Sequence, residues 1–114
     1  MKIYAFEVRD DEREYFKALS EIPEIELELH SEGLTRTNIS KLESGCGVTV
    51  LGMCNYRKPE LDMMKKQGVL CMSTRTIGYN HIDVDHARRI GLHVCNACYD
   101  PHGVADYTIM MILL

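Results

Sequence analysis

The residues best placed to do chemistry lie between Ser73 and Asp83, in the stretch Ser-Thr-Arg-Thr-Ile-Gly-Tyr-Asn-His-Ile-Asp. An apolar run, Val69-Leu70-Cys71-Met72, leads into it and reads as a buried strand. Asp83 closes it and caps a predicted helix bearing Val84, Ala87 and Ile90. Between them lies a polar loop centred on Gly78. At the carboxyl end of a parallel strand, such a loop is where open α/β sheets bind ligands.

Other groupings offer less. Cys95-Asn96-Ala97-Cys98 is a CxxC with His93 and His102 close by. A metal site needs a second ligand pair at suitable spacing, and none follows. A redox CxxC starts a helix, whereas this one leaves a strand toward Pro101. The five cysteines, Cys46, Cys54, Cys71, Cys95 and Cys98, read as reduced thiols of a cytoplasmic protein, with Cys71 and Cys95 in apolar strands. The glutamates between Glu24 and His30 alternate with apolar residues, the pattern of a solvated strand face rather than a cation site. Gly45-Cys46-Gly47 lacks the third glycine of a dinucleotide fingerprint and is followed by a strand instead of a helix. No metal ligand and no cofactor-binding residue is assigned.

The elements that must position the Ser73–Asp83 loop follow from periodicity. Strands are predicted over Lys2 to Val8, Glu24 to His30, Val48 to Leu51, Val69 to Ser73 and Leu92 to Ala97. The helix after the first strand carries Tyr15, Phe16 and Leu19 on one face, with Asp10 or Asp11 as its cap. Thr37 caps a short helix through Leu42. Pro59 begins the next helix and Gly68 stops it. Gly91 closes the helix opened by Asp83. Five β-α repeats of this kind predict a parallel sheet with helices on both faces and right-handed crossovers.

The chain has 114 residues, 46% of them hydrophobic, which suits one domain. A net charge of -4 without a basic run argues against nucleic acid as a partner. The start of the chain meets a charge too soon for a signal peptide's apolar core, and no apolar run approaches membrane-spanning length. The tail from Val104 to Leu114 is apolar nearly all round. A helix like that belongs against protein on several sides, so the chain is expected to continue into something longer or to pair through this helix.

From about Lys65 onward the sequence resembles the D-isomer-specific 2-hydroxyacid dehydrogenases. The matching pieces are Ser73 to Asp83, then Ala87-Arg-Arg-Ile-Gly-Leu-His-Val94, Tyr99-Asp-Pro101 and Val104-Ala-Asp-Tyr107. Residues 1 to 64 fit in pattern with weaker motifs. The resemblance implies a flavodoxin-like, five-stranded α/β substrate domain over residues 1–100. Residues 101–114 would then start an interdomain helix toward an absent Rossmann domain that binds NAD. It implies no catalytic residue in this stretch. The family's carboxylate-binding loop matches Arg75-Thr76-Ile77-Gly78, so Arg75 and the backbone N–H groups of Ile77 and Gly78 would hold the acid. Tyr99 matches a tyrosine that reaches toward the substrate. The loop from Leu51 to Tyr56 would shape the pocket around the substrate side chain. The implied activity is reduction of a 2-keto acid by a homodimeric enzyme, with these residues inactive alone. The other reading of the residues is a stand-alone flavodoxin-like module that dimerises through its last helix.

Overall fold

The computed structural model describes all 114 residues. Five strands alternate with helices: β1 (Lys2–Ala5), α1 (Arg13–Ser20), β2 (Glu26–Leu29), α2 (Arg36–Ile39), β3 (Gly47–Val50), α3 (Lys58–Gln67), β4 (Cys71–Thr74), α4 (Val84–Arg89), β5 (His93–Asn96) and α5 (Pro101–Leu113). A 3-10 turn over Asp10–Glu12 precedes α1. All strand pairs are parallel, in the order β2-β1-β3-β4-β5. The parallel sheet expected from the alternation is observed, in the five-stranded, flavodoxin-like form that the resemblance implies.

Burial follows strand position. β3, Gly-Val-Thr-Val, lies at the centre and is buried throughout, which is why it shows no polar face. β2 is an edge strand. Leu27 and Leu29 pack toward Phe16 of α1, while Glu26 and Glu28 turn to the other face, where Lys2 pairs with both and with Glu43. The main core lies between the sheet and α2, α3 and α4, built on Phe6, Val48, Val50, Leu61, Met64 and Met72. On the opposite face α1 covers β1 and β2 but leaves a hollow of about 310 Å³ bordered by Ile3, Phe16, Leu27 and Cys71.

Several expectations shift in detail. β1 stops at Ala5 rather than Val8, because Glu7 sits at φ 57 and turns its side chain beneath the neighbouring strand. Arg9, not Asp10 or Asp11, is the cap of the 3-10 turn, with Glu12 bonding back to its amide at 3.0 Å. Thr35 rather than Thr37 caps α2, and Asn38 returns the bond to its amide at 2.7 Å. Of the α1 face, Phe16 is buried while Tyr15 and Leu19 are exposed. Cys95 is exposed because β5 is the other edge of the sheet. Asp83 does cap α4 through the His86 amide, and Gly68 and Gly91 adopt the positive φ that ends α3 and α4.

The last helix leaves its apolar surface uncovered within this chain. No residue of α5 is buried. It projects from the body: the radius of gyration is 15.7 Å, against about 13 Å for a compact chain of this size. Ile112 and Leu113 are among its fully exposed apolar residues. No helix is long and apolar enough to cross a membrane.

Candidate acid-binding site

The carboxyl ends of β1, β3, β4 and β5 meet at one rim of the sheet, and the Arg75–Asp83 loop leaves β4 at its middle. Its first residue continues the ladder, the Arg75 amide bonding the Val50 carbonyl at 2.8 Å. Its carbonyls are then tied back one after another. The Thr76 carbonyl accepts the Ala97 amide at 3.0 Å. That of Ile77 accepts the Asn96 side-chain amide at 2.8 Å, and that of Gly78 accepts the Thr76 hydroxyl at 2.6 Å. Thr74 braces the turn from beneath, its hydroxyl 2.7 Å from that of Thr76 and 3.1 Å from His81 Nε2.

With the carbonyls committed, the peptide N–H groups from Thr76 to His81, those of Ile77 and Gly78 among them, are left without any protein acceptor. Both residues are exposed. Unpaired amides held side by side on a rigid strand end form an anion-binding concavity. Gly78 itself has no internal reason to be glycine. Its φ lies outside the left-handed region, and a Cβ placed there meets no atom within 4 Å. The turn does not require it, and a bare backbone at this exposed position permits close approach of a ligand.

Arg75 takes a different place from the one the resemblance implies. Its guanidinium faces away from the open amides. Nε donates to Glu12 Oε1 at 2.9 Å, Nη2 to the Phe6 and Glu7 carbonyls at 3.0 and 3.1 Å, and Nη1 to the Thr49 hydroxyl at 3.3 Å. The ring of Phe16 lies 5.3 Å below it. Arg75 thus ties the β4 end to the β1 end and to the first helical turn; in this geometry it fixes the loop instead of presenting a charge to a ligand. Tyr99 stands three residues beyond β5, half exposed, and its hydroxyl makes no hydrogen bond. A hollow of about 440 Å³ runs beside edge strand β5. Tyr79 and Asn96 line it, while Ile77, Gly78 and Tyr99 do not, so the amides open onto the rim rather than into that hollow.

Burial raises the Glu12 carboxyl, but the bonds from Arg75 and from the Arg9 amide outweigh it and hold the group below the usual carboxylate range. A depressed folded value means the pair contributes stability above the unfolded pKa of about 4.3, and that contribution is lost as pH falls through the folded value. Thermal unfolding followed from pH 6 downward is expected to show a steeper acid loss for the native chain than for Glu12→Gln. Parallel curves would remove this pair from the acid-stability account.

No motif gives Asn96 or Glu12 a role, and the loop motif that contains Thr76 assigns nothing to its hydroxyl. Asn96 could have been found from topology alone, since parallel neighbours of β4 end at the same rim; Glu12 needs the three-dimensional fold, being 63 residues from Arg75. Three of the other histidines are engaged elsewhere, His30 with Glu28 and Glu32, His86 2.7 Å from Asp62 of α3, and His102 with Asp100. The five thiols are all free.

Comparison with known proteins agrees with the fold. The family described as D-isomer specific 2-hydroxyacid dehydrogenase, catalytic domain, matches residues 3–110. A D-lactate dehydrogenase of Lactiplantibacillus pentosus is 31% identical over 99% of this chain and 35% of its own length. An aromatic 2-oxoacid reductase of Clostridium sporogenes is 34% identical over 99% of this chain and 34% of its own. The apo structure of D-lactate dehydrogenase from Escherichia coli superposes with a TM-score of 0.84 at 28% identity, covering 99% of this chain and 37% of that one. The chain therefore spans about a third of the length of the relatives it matches. With the family model matching almost the whole of a five-stranded parallel α/β chain, and relatives above 30% identity along its length, the chain belongs to the D-isomer specific 2-hydroxyacid dehydrogenase family.

Proposed function

We propose that this chain is the substrate-binding part of an NAD-dependent D-2-hydroxyacid dehydrogenase, which reduces a small 2-keto acid to the D-2-hydroxy acid. The observation that carries the reading is the exposed run of acceptor-free amides that includes Ile77 and Gly78, within which neither turn nor packing requires the glycine. They would hold the substrate carboxylate, with Tyr99 beside it. Oriented peptide dipoles bind an anion without a flexible charged side chain and without reorganising as the ligand arrives.

The residues present do not fit a dinucleotide. Gly45 and Gly47 lie at the start of β3, at the rim opposite the amides, and lead into a strand rather than a helix. NAD would thus bind to protein beyond this chain, and would supply the hydride there. The contribution of these residues is binding and orientation. Residues 1–100 form the substrate domain in this reading, and 101–114 begin the connection to the remainder. The apolar surface of α5 supports that division, since a helix of this composition needs protein around it. Relatives named for D-lactate and for aromatic 2-oxoacids support a small 2-keto acid as substrate; a cytoplasmic, homodimeric enzyme is part of the same proposal.

Titration of the ¹⁵N-labelled chain with oxamate, a non-reducible mimic of pyruvate, tests the binding claim. The Ile77 and Gly78 amides are expected to shift together; silence at both would remove the acid site. Incubation with NADH and pyruvate is expected to give no turnover, and turnover would show that reduction needs nothing beyond these residues. Exposed α5 also predicts self-association. Light scattering at micromolar concentration is expected to show species above the monomer, and a clean monomer would count against pairing through this helix.

A further inference from the structure

We propose that Glu7 is a positioning residue of the acid site: it fixes the loop from Leu51 to Tyr56, and so sets which acid side chains the site admits. The proposal rests on the acid-binding reading and extends it to selectivity.

Glu7 lies at the end of β1 on the same rim as the open amides. It is the one non-glycine residue with positive φ, at 57°. Both of its peptide groups are held: its amide donates to the Glu32 carbonyl at 2.9 Å, and its carbonyl accepts from Arg75 at 3.1 Å. The residue is 2% exposed, an unusual depth for a carboxylate. One oxygen, Oε2, accepts the Leu51 amide at 2.6 Å, while Oε1 is buried without a partner. Backbone strain and a half-satisfied buried charge are both unfavourable, and such features persist in proteins mainly at sites of function.

What the carboxylate holds is the entrance of the β3–α3 loop. The other end is clamped to the cradle loop, where the Tyr56 amide bonds the His81 carbonyl at 2.7 Å and the Asp83 amide bonds the Tyr56 carbonyl at 2.9 Å. The span between runs alongside the amides: a Cβ on Gly52 would lie 3.8 Å from Thr76 Cγ2. Met53 stands 81% exposed at its crest. Gly33 makes room beneath, since a Cβ there would come within 2.5 Å of Cys54 Sγ and 3.6 Å of Glu7 Oε1. Burial and the Glu7 charge push the Cys54 thiol up, so Cys54 serves as a neutral wall and not as a nucleophile. A loop pinned at both ends, with its entry set by one side chain, presents a fixed outline to whatever sits on the amides. Releasing Leu51 frees that outline and leaves the cradle, held by Asn96 and Thr76, in place.

The test compares oxamate with phenylpyruvate, a 2-keto acid with a bulky side chain, by ¹⁵N titration of the native chain, Glu7→Gln, Glu7→Ala and Glu7→Gly. Glutamine retains an acceptor for Leu51; glycine removes the carboxylate and also relieves the positive φ, so it gives a folded variant even where alanine does not. Glu7→Gln is expected to keep the ratio of the two dissociation constants. Glu7→Gly is expected to change it about tenfold, the scale at which pocket shape discriminates side chains. In the same variant Ile77 and Gly78 still respond to oxamate, and the Leu51 amide proton moves upfield. An unchanged ratio in Glu7→Gly overturns the proposal while the acid site stands. No response at Ile77 and Gly78 in the native chain overturns the acid site, and selectivity with it.

Discussion

A chain carrying Gly78→Ala is expected to be at least as stable as the native one and to lose most of its affinity for small 2-keto acids. The added methyl group meets no protein atom within 4 Å, and the backbone there is not left-handed. At such a compatible position, replacing glycine narrows the unfolded ensemble and stabilises by about 0.4–1 kcal/mol. The same methyl group projects from the backbone that the carboxylate would approach. A loss of tenfold or more in affinity, about 1.4 kcal/mol, is the expected cost. Thermal unfolding and the oxamate titration read the two effects separately. Affinity unchanged in a stable variant would mean that no ligand comes close to Gly78, and the cradle reading would fail. Lower stability with unchanged affinity would mean that glycine serves the turn after all.

Arg75→Met is expected to have the largest effect on stability. The arginine side chain is 17% exposed and that of its partner Glu12 is 23% exposed. Its loss leaves Glu12 Oε1 and the Phe6 and Glu7 carbonyls without this donor, while Glu12 Oε2 keeps the Arg9 amide. Breaking a buried pair by removing one member costs 3–5 kcal/mol, and partial exposure places this one near the lower end, at about 3 kcal/mol. For a domain of this size that is a fall in melting temperature on the order of 12 °C. Arg75→Lys is expected to recover only part of it, because a single ammonium cannot span Glu12 and two carbonyls. The folded fraction of Arg75→Met should still bind oxamate, since the guanidinium is turned from the open amides. Lost binding at native stability would restore Arg75 to the role of acid ligand.

The two residues show how differently neighbours in one motif can be read. The stretch Arg75-Thr76-Ile77-Gly78 was recognisable as a ligand loop from its place after an apolar strand and before a capped helix, because both signals are local. Ile77 and Gly78 would act through their backbone, and backbone geometry at a strand end follows from the β-α order. Arg75 acts through a long side chain whose partners lie 26 to 69 positions away. No spacing rule reaches them, so its direction was decided only when β1 was laid beside β3 and β4. Glu7 is the same case: in sequence it is one polar residue at the end of an apolar run, and its meaning appears only with the Leu51 amide 44 positions on.

The amino-acid order by itself determined the α/β class, the five repeats, the stops at Gly68 and Gly91 and the cap at Asp83, since each depends on contacts within a few residues. Strand order was decided by tertiary structure, with β1 between β2 and β3 and two edges at β2 and β5. That order in turn decided which cysteines are buried, why the acidic face of β2 is solvated, and how Asn96 comes to hold the Ile77 carbonyl. The physical reason is range. Caps, turns and periodicity are satisfied by near neighbours, whereas a buried charge or an unpaired amide is defined by what the folded chain brings, or fails to bring, within 3 Å of it.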